Sequence, residues 1–314
     1  MSAPQTMAAK VRVYLAFRRK AGYALRIEGN QLANFAIFAE DQGHRGPLTV
    51  KLAMEWATAS RRPGPLTAAR RIEVLRPFAR YCQQFDPDTE VPSHHLFGRS
   101  HRRLIPHIYT DAELEALLLA CGDLFPKGGI RGAACATIFG LLASTGLRIS
   151  EATGLRRSDV DLERCVLHIR HAKFGKSRLV PIHPTTADAL RSYANRRDRD
   201  PLAAPTDAFF MFDYGHPAST AAVEYAFKLL RQRLRWRTRG GHKAPRIHDL
   251  RHSFICRRIE QWYLQGSNID KHMLALSTFV GHAKVTDTYW YVTATPQLLA
   301  LAAQRCQRDT GDKQ

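Results

Sequence analysis

Two arginines in the second half of the chain have the residue type and setting that phosphate chemistry needs. Arg148 follows Gly146 at the end of a helical pattern, and Arg251 lies three residues after His248. On a helix, His248 and Arg251 therefore share a face. A phosphodiester resists attack because its anionic oxygens repel nucleophiles, so cleavage needs fixed positive charge at those oxygens. Arginine stays charged and its planar fork can bind two oxygens. The pattern predicts a phosphate-binding site.

Two lysines in the turn before residue 177 could supply a proton to a leaving oxygen. Lys173 and Lys176 both lie in the sequence Ala-Lys-Phe-Gly-Lys-Ser. An ammonium group on a flexible stem can reach from a hairpin into a DNA groove and protonate a departing 5′ oxygen. The alternative for either lysine is a solvated turn residue without a chemical role.

Two tyrosines near the end of the chain are candidate nucleophiles. Tyr289 and Tyr291 flank Trp290. A phenol has a pKa near ~10, so its charge needs stabilisation as it attacks. A two-residue step on a helix rotates a side chain by about 200°, so only one of the two tyrosines can face the arginines. We expect the other to pack into the core or against DNA. Taken alone, this aromatic trio would favour a core cluster.

A zinc site is the alternative interpretation of the two histidines on the same predicted helix. His248 and His252 are spaced i, i+4, as zinc-binding pairs are. The zincin pattern has Glu directly after the first histidine, however, and here Asp249 stands there. Arg251 would also place a positive charge beside the metal, and no third ligand can be named. The sequence therefore disfavours zinc.

The charge of the whole chain indicates a polyanionic partner. The net charge is +19 over 314 residues, and it divides into +9 for residues 1–105 and +10 for residues 106–314. An excess spread over both halves favours DNA or RNA over a charged tail. A basic protein with a solvated surface is the alternative.

Other features predict a cytoplasmic, nucleoid-associated protein. No apolar run approaches the ~18–20 residues of a membrane-spanning helix, and the first residues do not form a signal peptide. The cysteines are widely scattered and form no Cys-x-x-Cys pair, so we expect reduced core thiols. They are Cys82, Cys121, Cys135, Cys165, Cys256 and Cys306.

The hydrophobic pattern divides the chain into two domains. Short helices are predicted within residues 1–90, with Ile72 and Leu75 among the residues on one apolar face and with Pro77 expected to kink or break the fourth helix. Residues 91–108 are polar, basic and aperiodic, which is typical of a linker. Residues 109–314 form the second domain.

The second domain is predicted to be mainly helical with a small inserted sheet. Thr110 and Glu113 form a capping box for its first helix, which Gly122 should end. Further helices are expected at about 132–144, 184–197, 219–236, 248–263, 270–280 and 296–305. Two strands, 164–170 and 177–182, flank the lysine turn.

The order and spacing of four segments resemble the tyrosine recombinase (phage integrase) family. These segments are residues 145–162, 171–181, 248–253 and 280–291, and the resemblance covers roughly residues 110–295. The N-terminal helices fit the family's core-binding domain in size and position only. The resemblance implies a mainly α fold with a small antiparallel sheet, in which a helical core-binding domain precedes a mixed α/β catalytic domain.

The resemblance also implies roles for individual residues. It makes Tyr291 the nucleophile, because Tyr291 lies nine residues after His282, as the family pattern requires. The two arginines clamp the phosphate, and Lys173 rather than Lys176 is the favoured proton donor. The implied catalytic residues are Arg148, Lys173, His248, Arg251, His282 and Tyr291, and the implied DNA contacts are Lys176, Arg178 and Arg246. We expect the carboxylates Glu151, Asp159 and Asp249 to orient helices or arginines.

The implied reaction is strand exchange on double-stranded DNA through a 3′-phosphotyrosine bond, without a metal or nucleotide cofactor. Four protomers would act on two duplexes through a Holliday junction, and the C-terminal helix from Pro296 would pack on a neighbouring protomer. The segment 287–296 also resembles short recombinases of transposons that carry several such enzymes, so other recombinases of the same element are possible partners. Integration, excision, resolution and inversion stay open.

Two other functions remain as alternatives. A type IB topoisomerase would use the same phosphate chemistry to relax one duplex without strand exchange. A DNA-binding regulator with a decayed site would bind DNA and never form a covalent adduct, and the presence of all six expected residues speaks against it. Generic RNA binding is less favoured, because no RNA-reading module is recognisable.

Overall fold

The computed structural model describes residues 6–61, 63–100, 103–170, 177–200 and 206–311. The chain divides into two compact units, Met1–Arg103 and Leu104–Gln314. Within the described residues, no helix is both long and apolar enough to cross a bilayer.

The first unit consists of four helices around one apolar core. The helices are α1 (Met7–Lys20), α2 (Arg26–Asp41), α3 (Val50–Thr58) and α4 (Pro65–Gln83). Ile72 and Leu75 are buried, as the apolar periodicity predicts. Of the kink or break expected at Pro77, the break is wrong, because α4 continues through this residue. Proline removes one backbone donor from a helix, but Leu75, Phe78 and Ala79 around it are fully buried in the core, and this burial favours an unbroken helix.

Both ends of the expected linker are held by their own unit. The Glu90 N–H donates to Leu48 O at 2.8 Å, and Phe97 packs against the core of the first unit. Beyond residue 103, Ile105 O accepts from the Gly241 N–H at 2.8 Å in the second unit.

The second unit contains nine helices and three strands among its described residues. In chain order they are α5 (Asp111–Ala120), α6 (Ile130–Thr145), α7 (Ile149–Thr153), β1 (Val160–Asp161), β2 (Val166–Ile169), β3 (Arg178–Pro181), α8 (Pro184–Asp198), α9 (Thr220–Arg233), α10 (His248–Leu264), α11 (Ile269–Val280), α12 (Thr286–Tyr289) and α13 (Pro296–Gly311). The six further helices predicted after the first are all present. The mainly helical class with a small sheet is confirmed.

The capping box predicted at the start of α5 is present. The Glu113 N–H donates to Thr110 Oγ1 at 3.2 Å, and the Thr110 N–H donates to Glu113 Oε2 at 2.9 Å. The α-helix ends at Ala120, and a 3₁₀ turn, Cys121–Asp123, follows it, so the chain stays helical past the stop expected at Gly122.

The sheet is antiparallel in the order β1-β2-β3. Strands β2 and β3 are the two predicted strands, and the register pairs Leu167 with Val180 and Ile169 with Arg178. Strand β1 was not predicted, because two residues are too few to show an alternating pattern. The register places Arg178 at the end of β3 that follows the lysine turn.

Two apolar clusters build the second unit. One surrounds the nearly all-apolar helix α6 and includes Ile138 and Phe139, both fully buried. The other joins α10, α11 and α13 through Ile255, Met273 and Leu298. The predicted site lies where these helices end, because residues 146–148 follow α6 and residues 281–282 follow α11.

Candidate active site

Arg251 lies in the first turn of α10 and is 2% exposed. Its guanidinium donates from Nη1 to Gly146 O at 2.5 Å and from Nη2 to Val280 O at 2.7 Å. Burial, and then the charge of Arg148, lower the pKa of Arg251 to about 10, so the group stays positive at neutral pH. Arg251 thus joins the ends of α6 and α11 and brings a fixed charge between them.

Arg148 is the N-cap residue directly before α7 and is held by Glu151. Its Nη1 donates to Glu151 Oε1 at 2.9 Å, and its Nη2 donates to Gly281 O at 2.7 Å. The side chain remains 24% exposed. It also lines a cavity of about 570 Å³ together with Arg156 and Arg170.

Arg178, an expected DNA contact, is held by groups of its own chain. Its Nη1 and Nη2 donate to the two oxygens of Glu151 at 3.0 and 2.9 Å, and its Nε donates to Phe279 O at 2.9 Å. The side chain is only 12% exposed, so it positions Glu151 in the free protein, and its DNA contact stays a prediction. Burial alone would raise the pKa of Glu151, but hydrogen bonds from Arg178 and from the Arg148 backbone hold that pKa below its usual value. Glu151 thus stays ionised between two arginines.

The C-terminus of α11 collects three guanidinium groups. Its last carbonyls, those of Phe279, Val280 and the capping residue Gly281, accept from Arg178, Arg251 and Arg148 respectively. Carbonyls at a helix C-terminus are unpaired within the helix and carry partial negative charge, so they attract cations. One helix end thereby fixes both arginines predicted to bind phosphate.

The two predicted histidines are neutral in the free protein. His282 Nδ1 lies 2.7 Å from Thr288 Oγ1, and burial and the charges of Arg251 and Arg148 lower the pKa of His282 to about 3. Desolvation by surrounding protein atoms, and then the charges of Arg251 and Arg246, lower the pKa of His248 to about 4, although part of the residue is exposed to solvent. Because Arg251 and Arg148 lower the pKa of both histidines, both rings lie close to these arginines.

The two tyrosines have separate surroundings, as the helical rotation predicts. Tyr291 is 3% exposed, and its ring stacks on that of His282 with 6.1 Å between centroids. Tyr289 is 39% exposed, and its hydroxyl donates to Asp270 Oδ1 at 2.8 Å. Of the two places expected for Tyr289, the core is therefore excluded, and packing against DNA stays a prediction. Tyr291 is the tyrosine that shares its cluster with Arg251 and the histidines.

His252 is a site residue that the sequence analysis missed. Its Nδ1 lies 2.7 Å from the hydroxyl oxygen of Tyr291, and its ring meets that of His248 edge-on at 4.7 Å. The i, i+4 spacing from His248 was the available signal, but it pointed to a metal pair rather than to a partner for the nucleophile.

Of the remaining predicted residues, some lie within the described part of the chain and some do not. Lys173 and Lys176 lie outside the described residues, in the segment between β2 and β3. Arg246 donates from Nη2 to the buried Asp249 at 2.7 Å and is 36% exposed, so it orients the start of α10 and its DNA contact stays a prediction. Asp159 accepts from Arg170.

The C-terminal helix packs within its own chain. Leu298 is 1% exposed in the apolar cluster that contains Tyr291, and Arg305 Nη1 donates to Ser267 O at 2.7 Å. Leu299, beside Leu298, is 53% exposed, and packing of this helix on a neighbouring protomer stays a prediction.

The sequence is similar to known recombinases. Residues 109–297 match the profile of the phage integrase family. Over 310 residues, 34% are identical to the putative integrase/recombinase y4rB of Sinorhizobium fredii, covering 96% of this chain and 98% of that protein. The tyrosine recombinase XerC of Chlamydia trachomatis is 29% identical over 234 residues, covering 74% of this chain and 68% of that protein.

Solved structures share the two-domain fold. The Tn1549 transposon integrase in complex with transposon right end DNA superposes with a TM-score of 0.69 at 18% identity, covering 95% of this chain and 98% of that chain. The XerH site-specific recombinase bound to a palindromic difH substrate gives a TM-score of 0.65 at 18% identity, covering 88% and 78%. At this identity the likeness concerns the fold.

Proposed function

This chain belongs to the phage integrase family and is a site-specific DNA recombinase, and we propose that it cuts and rejoins strands through a covalent bond between Tyr291 and a 3′ phosphate. The observation that carries the proposal is the convergence of the Tyr291 hydroxyl, the Arg251 guanidinium and the Arg148 guanidinium in one cluster. Attack by a tyrosine conserves the phosphodiester bond energy, so a second 5′ hydroxyl can reverse the step on another strand.

The two arginines would stabilise the charge that develops on the phosphate. A guanidinium has five N–H donors, and the structural bonds of Arg251 and Arg148 leave donors over for oxygens of a ligand. Since carbonyls and Glu151 fix both groups beforehand, little reorganisation is required when the transition state forms. His248 would assist in proton transfer and phosphate binding, and His282 would add a further contact.

A lysine of the turn between β2 and β3 would protonate the departing 5′ oxygen. We assign this task to Lys173 and a phosphate contact to Lys176. An ammonium group is a stronger acid than the 5′ hydroxyl that it creates, so the transfer favours cleavage.

Double-stranded DNA is the proposed substrate. The solved relatives include integrase and recombinase chains bound to DNA, one of them on a transposon end. We further propose that four protomers act on two duplexes and exchange strands in pairs. The reaction would integrate or excise a mobile element, together with other recombinases of that element. It would take place at the nucleoid in the cytoplasm.

Trapping the covalent adduct tests this proposal. Sequencing the DNA that flanks the gene identifies any inverted repeats to be used as candidate sites. A nick beside the scissile phosphate lets the short 5′ fragment diffuse away after cleavage. We expect the adduct to map by mass spectrometry to the peptide that contains Tyr291. Tyr291→Phe should abolish it and leave DNA binding intact, because only the hydroxyl is lost.

Tyr289→Phe is the matched control and should retain adduct formation, because its hydroxyl bonds Asp270. Attachment at Tyr289 or at any other residue would overturn the assignment. A verified target site that is bound and never attached would overturn the covalent mechanism itself.

A further inference from the structure

The hydroxyl of Tyr291 already has a proton acceptor beside it. His252 Nδ1 lies 2.7 Å from the hydroxyl oxygen, which is the usual length for a hydrogen bond from a hydroxyl group. His252 stands one helical turn after His248 on α10, and the two rings are in edge-on contact. The hydrogen-bonded pair of His252 and Tyr291 is thus held by His248 on one side and by His282 on the other, because Tyr291 also stacks on His282.

His252 has the protonation state that an acceptor needs. Burial, and then the neighbouring groups His248, Arg246 and Arg251, lower the pKa of His252 to about 2, so its ring is neutral in the free protein. A neutral imidazole carries a proton on one nitrogen only. The tautomer with the proton on Nε2 leaves Nδ1 free to accept from the phenol.

The other two histidines are less suited to this task. His282 Nδ1 is engaged with Thr288 Oγ1 at 2.7 Å, and Thr288 is fully buried. The ring of His248 meets His252 rather than the tyrosine. Among the described histidines of the cluster, His252 is the one whose ring nitrogen lies within hydrogen-bond distance of the Tyr291 oxygen.

We propose that His252 is a catalytic residue that accepts the phenolic proton of Tyr291 during strand cleavage. This inference rests on the proposed covalent mechanism. As the Tyr291 oxygen forms its bond to phosphorus, the bond from phosphorus to the 5′ oxygen breaks. The phenolic proton passes to His252 Nδ1, which yields an imidazolium ion, while the lysine of the turn protonates the 5′ oxygen. Religation returns both protons.

A bound phosphate makes this transfer possible. The low proton affinity of His252 in the free protein arises in part from neighbouring positive groups. A DNA phosphate held between Arg148 and Arg251 offsets that field and raises the affinity of the ring for a proton. The acceptor therefore becomes effective when substrate is present.

Single-turnover adduct formation on a nicked substrate tests the role of His252. We expect His252→Asn to slow adduct formation by about 10²- to 10⁴-fold, the range for general acid–base catalysis, with unchanged DNA affinity. His216→Asn is the matched control, because His216 is exposed and lies in the turn before α9, and it should react at the parental rate. Thermal unfolding of both variants separates a chemical defect from misfolding.

A nucleophile of lower pKa distinguishes proton acceptance from support of the fold. When Tyr291 is replaced by a fluorinated tyrosine, its proton leaves more readily and needs less help. The defect of His252→Asn should then shrink severalfold. A 5′-bridging phosphorothiolate, which needs no acid for its leaving group, should not relieve the defect.

The outcomes separate this inference from the proposed function. If the parent forms no adduct at a verified site, the covalent mechanism fails and the inference fails with it. If the parent forms the adduct and His252→Asn forms it equally fast, the inference alone is wrong. An equal defect with both phenols, or rescue by the phosphorothiolate, would also overturn it.

Discussion

At the scale of single residues, each arginine proposed to bind phosphate also holds the protein together. Arg251 is buried and bonds two carbonyls from different segments, whereas Arg148 is partly exposed and bonds Glu151. The charge proposed to stabilise the transition state is thus also a charge that caps a helix. Substitutions at the two positions should therefore affect stability differently, although both would remove charge from the proposed phosphate site.

Arg148→Ala should cost activity far more than stability. Loss of one preorganised donor slows comparable reactions by about 10²- to 10³-fold. Arg251→Ala should show a similar loss of rate and also lower the free energy of unfolding by about 1–3 kcal/mol, because two buried carbonyls lose their partner. Adduct kinetics and urea unfolding of both variants measure this. Equal stability of the two variants would contradict it.

Residue type and spacing, together with the family resemblance, could name candidate site residues. Arg148, Arg251, His248, His282 and Tyr291 were all named beforehand, and the described structure brings them into one cluster. Local periodicity could not predict partners that tertiary structure selects. An arginine on a strand is ordinarily solvent-exposed, and nothing in the sequence predicts that Arg178 binds Glu151. Nor does the sequence predict the hydrogen bond between His252 and Tyr291.

At the scale of elements, the end of α11 organises the site. Gly281 has a φ of 70°, and a Cβ there would lie 2.7 Å from Nη1 of Arg178. A long side chain can ordinarily move aside, but this guanidinium is tied to both oxygens of Glu151. A methyl group at position 281 therefore competes with the network that holds Arg148.

Gly281→Ala should both destabilise the protein and slow adduct formation. The left-handed backbone alone costs a non-glycine residue roughly 1–2 kcal/mol. Gly266→Ala is the matched control, because Gly266 has a φ of 66° and no atom within 4 Å of the added Cβ. We expect the control to lose only the backbone contribution and to keep the parental rate. If both variants react equally, the contact with Arg178 is irrelevant to catalysis.

Elements with strong local signals were predictable, and those set by tertiary packing were not. The capping box at Thr110 and the helices with apolar faces were recognisable. The continuation of α4 through Pro77 depends on a core that local propensity does not see. The placement of α13 on its own chain depends on which apolar surface is nearest, and sequence periodicity shows only that one face of α13 is apolar.

At the scale of the whole molecule, part of the charge of +19 is gathered in one loop of the second unit. Arg235, Arg237 and Lys243 lie exposed in the loop between α9 and α10, and none forms a salt bridge with a residue that the structure describes. The same loop carries His242, which acts electrostatically on His252. We therefore predict that these three cations meet DNA phosphates.

Neutralising these three cations should weaken DNA binding in a salt-dependent way. Each lost phosphate contact lowers the slope of log affinity against log salt by about 0.9, so the triple Gln variant should lose up to about 3 from the slope. Arg164→Gln is the control, because that side chain is 85% exposed and faces Asp161 at 3.9 Å. Titration of one duplex at several salt concentrations gives the slopes of the triple variant and of the control. If the two slopes are identical, the DNA does not contact these three cations.

The protonation of the site should couple folding to DNA binding. The pKa values of His248 and His282 fall to about 4 and about 3 in the free protein, against about 6.5 in an unfolded chain. The unfolded state therefore binds more protons between these limits. The resulting stability is complete above about pH 6.5 and is lost as the pH falls towards the folded values. Carboxylates with lowered pKa values, such as Glu151, contribute mainly below this window.

Urea unfolding between about pH 8 and about pH 5 measures the effect. We expect a constant free energy of unfolding above about pH 7 and a decline below about pH 6.5. His282→Gln should make this decline smaller, whereas the exposed control His216→Gln should leave it unchanged. Bound DNA places phosphate oxygens beside both rings, which favours imidazolium, so saturating target duplex should flatten the decline. A free protein whose stability is flat across this range would show that the histidines are not held neutral. A decline that DNA leaves unchanged would show that the phosphate lies away from them.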